Sequence, residues 1–278
     1  MTAWDRDKVL ESNKKLEGAE LKGLDLSGVD LDKANLISAN LVTTNLKGAS
    51  LAGANLFSAK AMRTDFSGAN LSAANFLKAN LTRANFKEAN LNDADLTGAN
   101  LADTNLEKAD LIRAKLVEAN LLGVNLAGAD LSEAKLTGMY QREGYYSRGA
   151  NLSKGNLVGA KFKGADVSGT EMMETDCTDV DFSNANLSEA NFKHATLNST
   201  NFEKAKLGDA DFRGARFMDC DFSGAELIEA KFQGVDLSSV KNISAEELQS
   251  AFIDSETKVP DYIKVNWKSE DTYECELV

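Results

Sequence analysis

One spacing constrains this chain more than any other feature. From Leu21 to Leu136 every fifth residue is Leu or Phe, with Ala61 the one exception, and the residue two before it is mostly Ala. The run holds for 24 consecutive units. It matches neither the 3.6-residue turn of an α-helix nor the two-residue alternation of a flat strand. A backbone that turns a corner every five residues does accommodate it. The Leu or Phe and the small Ala then point inward, and the other three positions face solvent. Four such sides would close a square after twenty residues. Successive coils can then hydrogen-bond at about the 4.8 Å spacing of adjacent strands, stacking like residues in ladders. Ala is required beside each large residue because four large side chains already fill the cross-section. Asn or Asp before the central residue, and Gly two after it, suit tight turns. With 7% aromatic residues and a single proline, the interior is expected to be narrow.

The units read GANLF, GANLS, AANFL, KANLT, RANFK, EANLN and GANLA. This A(N/D)LxG pattern resembles the pentapeptide-repeat family, over Leu16 to about Val240. The resemblance implies an all-β fold, a right-handed quadrilateral β-helix of about 10 coils, roughly 50 Å long at strand spacing. The register slips once: Leu136 is followed by TGMYQREGYYSRGANL, and the next centre, Leu152, is one residue out of phase. A second series of 18 units runs to Leu237, with Val167, Met172 and Cys177 as less typical centres. The chain therefore divides into an N-terminal helical cap (1–15), a first solenoid half (16–138), an inserted loop (139–149), a second half (150–240) and a C-terminal helix and tail (241–278).

Both ends are expected to be covered, because a stack of coils leaves unpaired backbone groups. Residues 4 to 14 read as a short helix with Trp4, Val9 and Leu10 facing the first coil. Ser244 and Glu247 form a capping-box pattern, with Leu248, Ala251 and Phe252 on one face. Alternation places Ile263, Val265 and Trp267 on one side of an extended tail, and the final SEDTYECELV is expected to be mobile. The family resemblance implies pairing through terminal segments, so Leu248, Phe252, Ile263, Val265 and Trp267 are candidates either for an end cap lying on the solenoid or for a homodimer contact.

Chemistry is sparse. The one histidine, His194, falls on an outward position, and no zinc-type Cys/His spacing, phosphate-binding loop or dinucleotide fingerprint occurs. Cys177 and Cys220 fall on inward positions and Cys275 in the tail, without the spacing of a disulfide framework. No catalytic residue, cofactor or metal is assigned, and the chain is read as non-enzymatic. A net charge of −12 argues against direct nucleic-acid binding, which depends on neutralising phosphates. The absence of a long apolar run or a signal-type N-terminus suggests no membrane partner and a cytoplasmic location.

Three features are candidates for partner binding. If four sides make a coil, twenty-residue stacking lines up Ile37, Phe57, Leu77, Thr97, Val117 and Thr137 on the outside, with Val42, Met62 and Leu122 on an adjacent side, and such a stripe marks an interface or a surface that the chain's own tail or loop covers. The inserted loop carries Tyr140, Arg142, Tyr145, Tyr146 and Arg148, residue types enriched in interface hot spots. Glu171, Glu174, Asp176, Asp179 and Asp181 fall within a single coil, as a solvated face or an acidic patch. The leading function is a protein-binding or scaffold solenoid. Family members that resemble DNA and occupy the DNA site of type II topoisomerases supply a second, a DNA-mimicking modulator of gyrase. A third is a structural accessory of a larger bacterial assembly.

Overall fold

The computed structural model describes residues 4–138, 149–269 and 272–278. Its ladder has a fixed step. Lys15 bridges Asn35, Asn35 bridges Asn55 and Asn55 bridges Asn75, all in parallel, and the same 20-residue step holds in three further columns that start at Glu20, Asp25 and Asp30. Four columns at a 20-residue step make a four-sided coil of five-residue sides. We number the faces by their first centres: face 1 from Leu16, face 2 from Leu21, face 3 from Leu26 and face 4 from Leu31. The sides are short enough that few register as extended strands. Those that do are β1 (Thr196–Asn198) and β2 (Arg216–Met218), paired in parallel on face 3.

Each side repeats one bonding scheme, seen at residues 54 to 58. The central amide of Leu56 donates to Asn75 O in the next coil at 2.7 Å, and Ser58 N donates to Leu77 O at 2.9 Å. Asn55 N donates the other way, to Ala34 O of the preceding coil, at 2.9 Å. Ala54 N turns back to Leu51 O at 3.0 Å, and the one amide without a backbone partner, Phe57 N, donates to the Asn55 side-chain Oδ1 at 3.1 Å. That bond explains why Asn and Asp dominate the position before the centre: their carboxamide or carboxylate satisfies an amide that no coil reaches. Asn side chains also bond along the axis, as in Asn105 Nδ2 to Asn85 Oδ1 at 3.2 Å. At the corners Lys78 (φ 59°) adopts the same left-handed backbone as Gly98 (φ 62°). For a non-glycine residue this conformation costs about 1–2 kcal/mol, which the flanking ladder bonds offset.

The core is a stack of central residues, all buried from Leu16 to Leu237 except Phe217, which is half-buried. Phenylalanines stack over one another in the second half, Phe192 on Phe212 at 5.0 Å and Phe212 on Phe232 at 4.9 Å on face 2. The opposing row on face 4 meets them edge-on, with Phe192 and Phe202 at 6.2 Å and 89°. Such stacked and T-shaped pairs are the favoured aromatic geometries. Where a hydroxyl replaces the small Ala it is satisfied: Thr44 Oγ1 donates to Leu21 O at 2.8 Å and Thr200 Oγ1 to Cys177 O at 2.8 Å.

Across the insertion the bridge step lengthens from 20 to 31 residues, as in Asn120 to Asn151 and Lys135 to Asp166. Eleven residues are therefore added at one corner and no side is lost. The coil reseals through Ala150 N to Leu136 O at 2.7 Å.

At the N-terminal end, helix α1 (Arg6–Glu11) starts at the Asp5 cap and buries Val9. Trp4 packs partly against the core, whereas Leu10 points to solvent at 54% exposure, contrary to its expected place on the first coil. So short a helix seats one side chain on the coil beneath it, and Val9 takes that seat. Arg6 completes the end: Nη1 donates to Asp25 O at 3.1 Å and Nη2 to Ser27 O at 2.9 Å. These carbonyls are equivalent to Asn45 O and Lys47 O, which accept from Leu26 N and Gly28 N of the coil before them. The guanidinium thus stands in for a missing coil.

At the other end helix α2 (Ala245–Gln249) has the full capping box of Ser244 and Glu247. The ladder then resumes, with Phe252 bridging Lys231 and Lys258 bridging Asp236. Leu248 and Ala251 are buried as expected, but Phe252 is 45% exposed and Ile253 is buried in its place. The repeat register continues past the helix and makes Ile253 the inward centre. Asp254 Oδ1 accepts from Gly234 N at 2.9 Å, where a further coil would have offered a carbonyl. The chain ends in an antiparallel hairpin of β3 (Ile263–Trp267) and β4 (Tyr273–Leu277). Tyr273–Leu277 of the closing segment are thus a strand and not a mobile tail. Ile263 and Tyr273 are buried, Val265 packs partly on the core, and Trp267, 37% exposed, lies against Tyr273 at 5.1 Å. The Gln249 amide seals the hairpin edge, donating to Tyr273 O at 2.8 Å and accepting from Cys275 N at 2.7 Å.

Candidate protein-docking surface

Face 1 carries the expected apolar column. Ile37, Phe57, Leu77, Thr97, Val117 and Thr137 follow one another coil by coil, their carbonyls accepting in turn from Gly18, Ser38, Ser58, Lys78, Gly98 and Glu118 at 2.8–3.2 Å. All six side chains are half-buried, because each leans on its neighbours above and below. Val42 and Met62 on face 2 are half-buried in the same way, and Leu122 is 40% exposed. Asn35, Asn55 and Asn75 fill the other outward row over the coils of Ile37, Phe57 and Leu77, so this part of face 1 is uncharged and partly apolar, whereas Lys15 precedes it and Asp95, Lys115 and Lys135 follow it in the same row.

The insertion leaves at the corner that joins face 1 to face 2, between Leu136 and Leu152, so both apolar columns flank its root. Glu118, Ala119, Asn120, Leu122, Gly149 and Asn151 line a shallow open depression there. Tyr140, Arg142, Tyr145, Tyr146 and Arg148 lie outside the described residues.

The five acidic residues of one coil do not converge. Glu171 sits on face 2, Asp176 on face 3 and Asp181 on face 4, while Glu174 and Asp179 occupy the corners between them. A five-residue spacing carries each successive acid round a corner, so density along the sequence becomes dispersion around the rod. Glu174 is 4.0 Å from Lys154, and Asp181 Oδ1 accepts from Ser183 N and from Asn201 Nδ2. Stacking creates a different acidic row that sequence density did not flag: Glu189, Asp209 and Glu229 follow one another at the corner of faces 1 and 2, beside Asp211 and Lys231. Elsewhere the charged rows pair along the axis, as in Arg113 with Asp93 at 2.7 Å and Lys87 with Glu107 at 3.1 Å.

Two of the three thiols, Cys177 and Cys220, are buried in the core. Burial pushes the Cys177 thiol up to about 12, and Cys220, also raised by burial, lies 2.9 Å from Leu197 O in the position that Thr200 occupies one coil earlier. Among the described residues no group of three or more His, Cys, Asp or Glu is arranged to hold a metal ion, and no helix is long and apolar enough to cross a membrane.

Matches to the family model for pentapeptide repeats extend over residues 15–138 and 148–241, with eight copies. A comparison with curated proteins returned no match. Among solved structures, HetL, a pentapeptide-repeat protein involved in heterocyst differentiation regulation in the cyanobacterium Nostoc sp. strain PCC 7120, is similar at 27% identity, over 82% of this chain and 96% of its own, with a TM-score of 0.43. A trypsin-treated form of QnrB1, a plasmid-mediated fluoroquinolone resistance protein, is similar at 20% identity, over 71% and 90%, with a TM-score of 0.34. A pentapeptide-repeat protein of the Arabidopsis thaliana thylakoid lumen is similar at 26% identity, over 48% and 68%, with a TM-score of 0.20. With its repeats matched across well over half its length, the chain belongs to the pentapeptide-repeat family.

Proposed function

We propose that this protein is a non-enzymatic docking solenoid that holds a protein partner against face 1. The observation that carries this reading is the column of Ile37, Phe57 and Leu77, half-exposed in adjacent coils on one flat face. Contiguous apolar surface of this kind is what partner proteins cover. The corner from which the insertion leaves borders the same face, so the root of that segment is within the neighbourhood of a docked partner. Charge mimicry of DNA is favoured less, because the acids of the coil at 171–181 point to three faces and many charged rows are neutralised along the axis.

The test is capture of the partner by the intact protein at low and high salt, compared with a variant combining Ile37→Ser, Phe57→Ser and Leu77→Ser. These side chains point outward, so the variant keeps the β-helix spectrum by circular dichroism. Docking on face 1 requires a partner that is retained at high salt and lost from the variant. A topoisomerase captured only at low salt, and equally by the variant, would establish mimicry by charge instead.

A further inference from the structure

The protein's charge of −12 hides a stretch of opposite character. Between Asp32 and Glu88 the chain carries seven Lys and Arg and a single carboxylate, Asp65. Folding places Asp65 on face 3, away from the apolar column of face 1. It places three of the lysines on the rims of that column. Lys33 sits at the corner entering face 1 (φ 57°), Lys78 at the corner leaving it (φ 59°), and Lys60 opens face 2 just beyond, bridged between Asn40 and Asn80. All three are exposed, and none is held in an ion pair among the described residues, although their neighbours Arg83 and Lys87 are.

We infer that face 1, over the coils of Ile37, Phe57 and Leu77, is built to receive an acidic amphipathic α-helix of a partner protein. The inference rests on the docking reading above and adds the chemistry of what docks. The sign follows from the free lysines on both rims; the carboxylates of face 1 flank these three coils, Glu17 before them, where it accepts from Asn35 Nδ2 at 3.1 Å, and Asp95 after Asn75. The helical form follows from spacing. The column repeats at about the 4.8 Å strand separation. The apolar stripe of a helix, with residues three or four apart, repeats about every 5.3 Å, whereas same-face residues of an extended chain repeat about every 6.8 Å. Over two steps a helix lying along the rod drifts from the column by about 1 Å and an extended chain by about 4 Å. A nucleic acid would gain nothing from Ile37, Phe57 and Leu77, and the remaining negative charge of the rod would oppose it.

Fluorescence anisotropy with three labelled probes tests this: a synthetic helix of about five turns with a leucine stripe and glutamate flanks, its twin with lysine flanks, and a DNA duplex. The proteins are the intact chain, Phe57→Ser, and a triple reversal of Lys33→Glu, Lys60→Glu and Lys78→Glu. The glutamate helix should bind the intact chain and lose about ten-fold or more in affinity to each variant, a factor equal to about 1.4 kcal/mol. The lysine twin should prefer the triple reversal. If Phe57→Ser abolishes binding but the lysine reversal does not, docking on face 1 stands and the acidic inference falls. If the reversal matters and Phe57→Ser does not, the apolar column is not the docking surface and both fall. Failure of the glutamate helix to bind, or duplex binding that displaces it, overturns the inference. So does lysine-dependent self-association of the protein alone in sedimentation equilibrium, which would make the occupant a second copy.

Discussion

Gly155 offers a sharp test of how the interior is packed. It occupies the small inward position that Ala fills in most units, yet its backbone is not left-handed and so does not require glycine. The reason lies one coil away, where the equivalent position holds the larger Val124, whose carbonyl accepts from Asn156 N. A Cβ on Gly155 would lie 3.2 Å from Val124 Cγ1, 3.0 Å from Leu157 Cδ1 and 2.8 Å from Leu152 O. Ordinary contact begins at 3.4 Å, so Gly155→Ala overpacks a site with no free volume, at about 1–3 kcal/mol. The loss of unfolded-state freedom returns about 0.4–1 kcal/mol, leaving a net destabilisation of about 1–2 kcal/mol. Val124→Ala deletes two buried methyl groups and costs about 2 kcal/mol by itself. Together the two changes restore the Ala-over-Ala arrangement of other coils, so the double variant should be about 1 kcal/mol or more better than the sum of the singles. Urea denaturation followed by circular dichroism measures all three. Equal costs of Gly155→Ala in the parent and in the Val124→Ala background would refute the compensation and place the clash on Leu152 O and Leu157 Cδ1.

Two further outcomes follow from the charged contacts. Arg6→Ala removes both donors to Asp25 O and Ser27 O, so hydrogen exchange at Leu26 and Gly28 should quicken about ten-fold, and Arg6→Lys should recover little because one ammonium cannot span both carbonyls; unchanged exchange at both amides would show that α1 alone closes the end. At Asp211 burial raises the carboxyl, but bonds from Arg213 and Lys193 outweigh it and hold it at about 2. A depressed carboxylate stabilises the fold above its unfolded value near 4 and loses that contribution as pH falls towards 2, here about 1–2 kcal/mol after allowance for screening. Asp211→Asn, a residue the same column already uses at Asn191, should therefore be less stable than the parent at pH 7 and converge with it near pH 2; a constant difference across that range would contradict the assignment.

The ladder was legible because it is local: Leu, Ala and Asn recur at fixed offsets, and each is tied to a single bonding task. The Phe57 amide bonded by Asn55, and Thr44 seated where Ala usually lies, follow from the same rule. What the sequence concealed depends on contacts without periodicity. β4 exists because β3 pairs with it and Gln249 supplies an edge, and neither is encoded within SEDTYECELV. Phe252 and Ile253 exchange faces because the repeat register, and not the helix period, governs that stretch. The apolar column was visible by counting in twenties. The acids at 171–181 looked concentrated and are dispersed, whereas Lys33, Lys60 and Lys78 looked unrelated and frame one face.

The two ends of the rod differ in a way that reaches beyond capping. On a typical side two amides, such as Leu56 N and Ser58 N, donate towards the following coil and one, Asn55 N, towards the preceding coil. Peptide dipoles therefore do not cancel along the axis, and the surplus points the partial positive end towards the C-terminus, opposite in sense to an α-helix. An N-terminal face rich in carbonyls calls for a cation and receives Arg6, and a C-terminal face rich in amides calls for an anion and receives Asp254. Two such rods meeting end to end in the same direction would attract, whereas like ends would repel, so the backbone itself gives the solenoid a polarity that its side chains can only reinforce or mask.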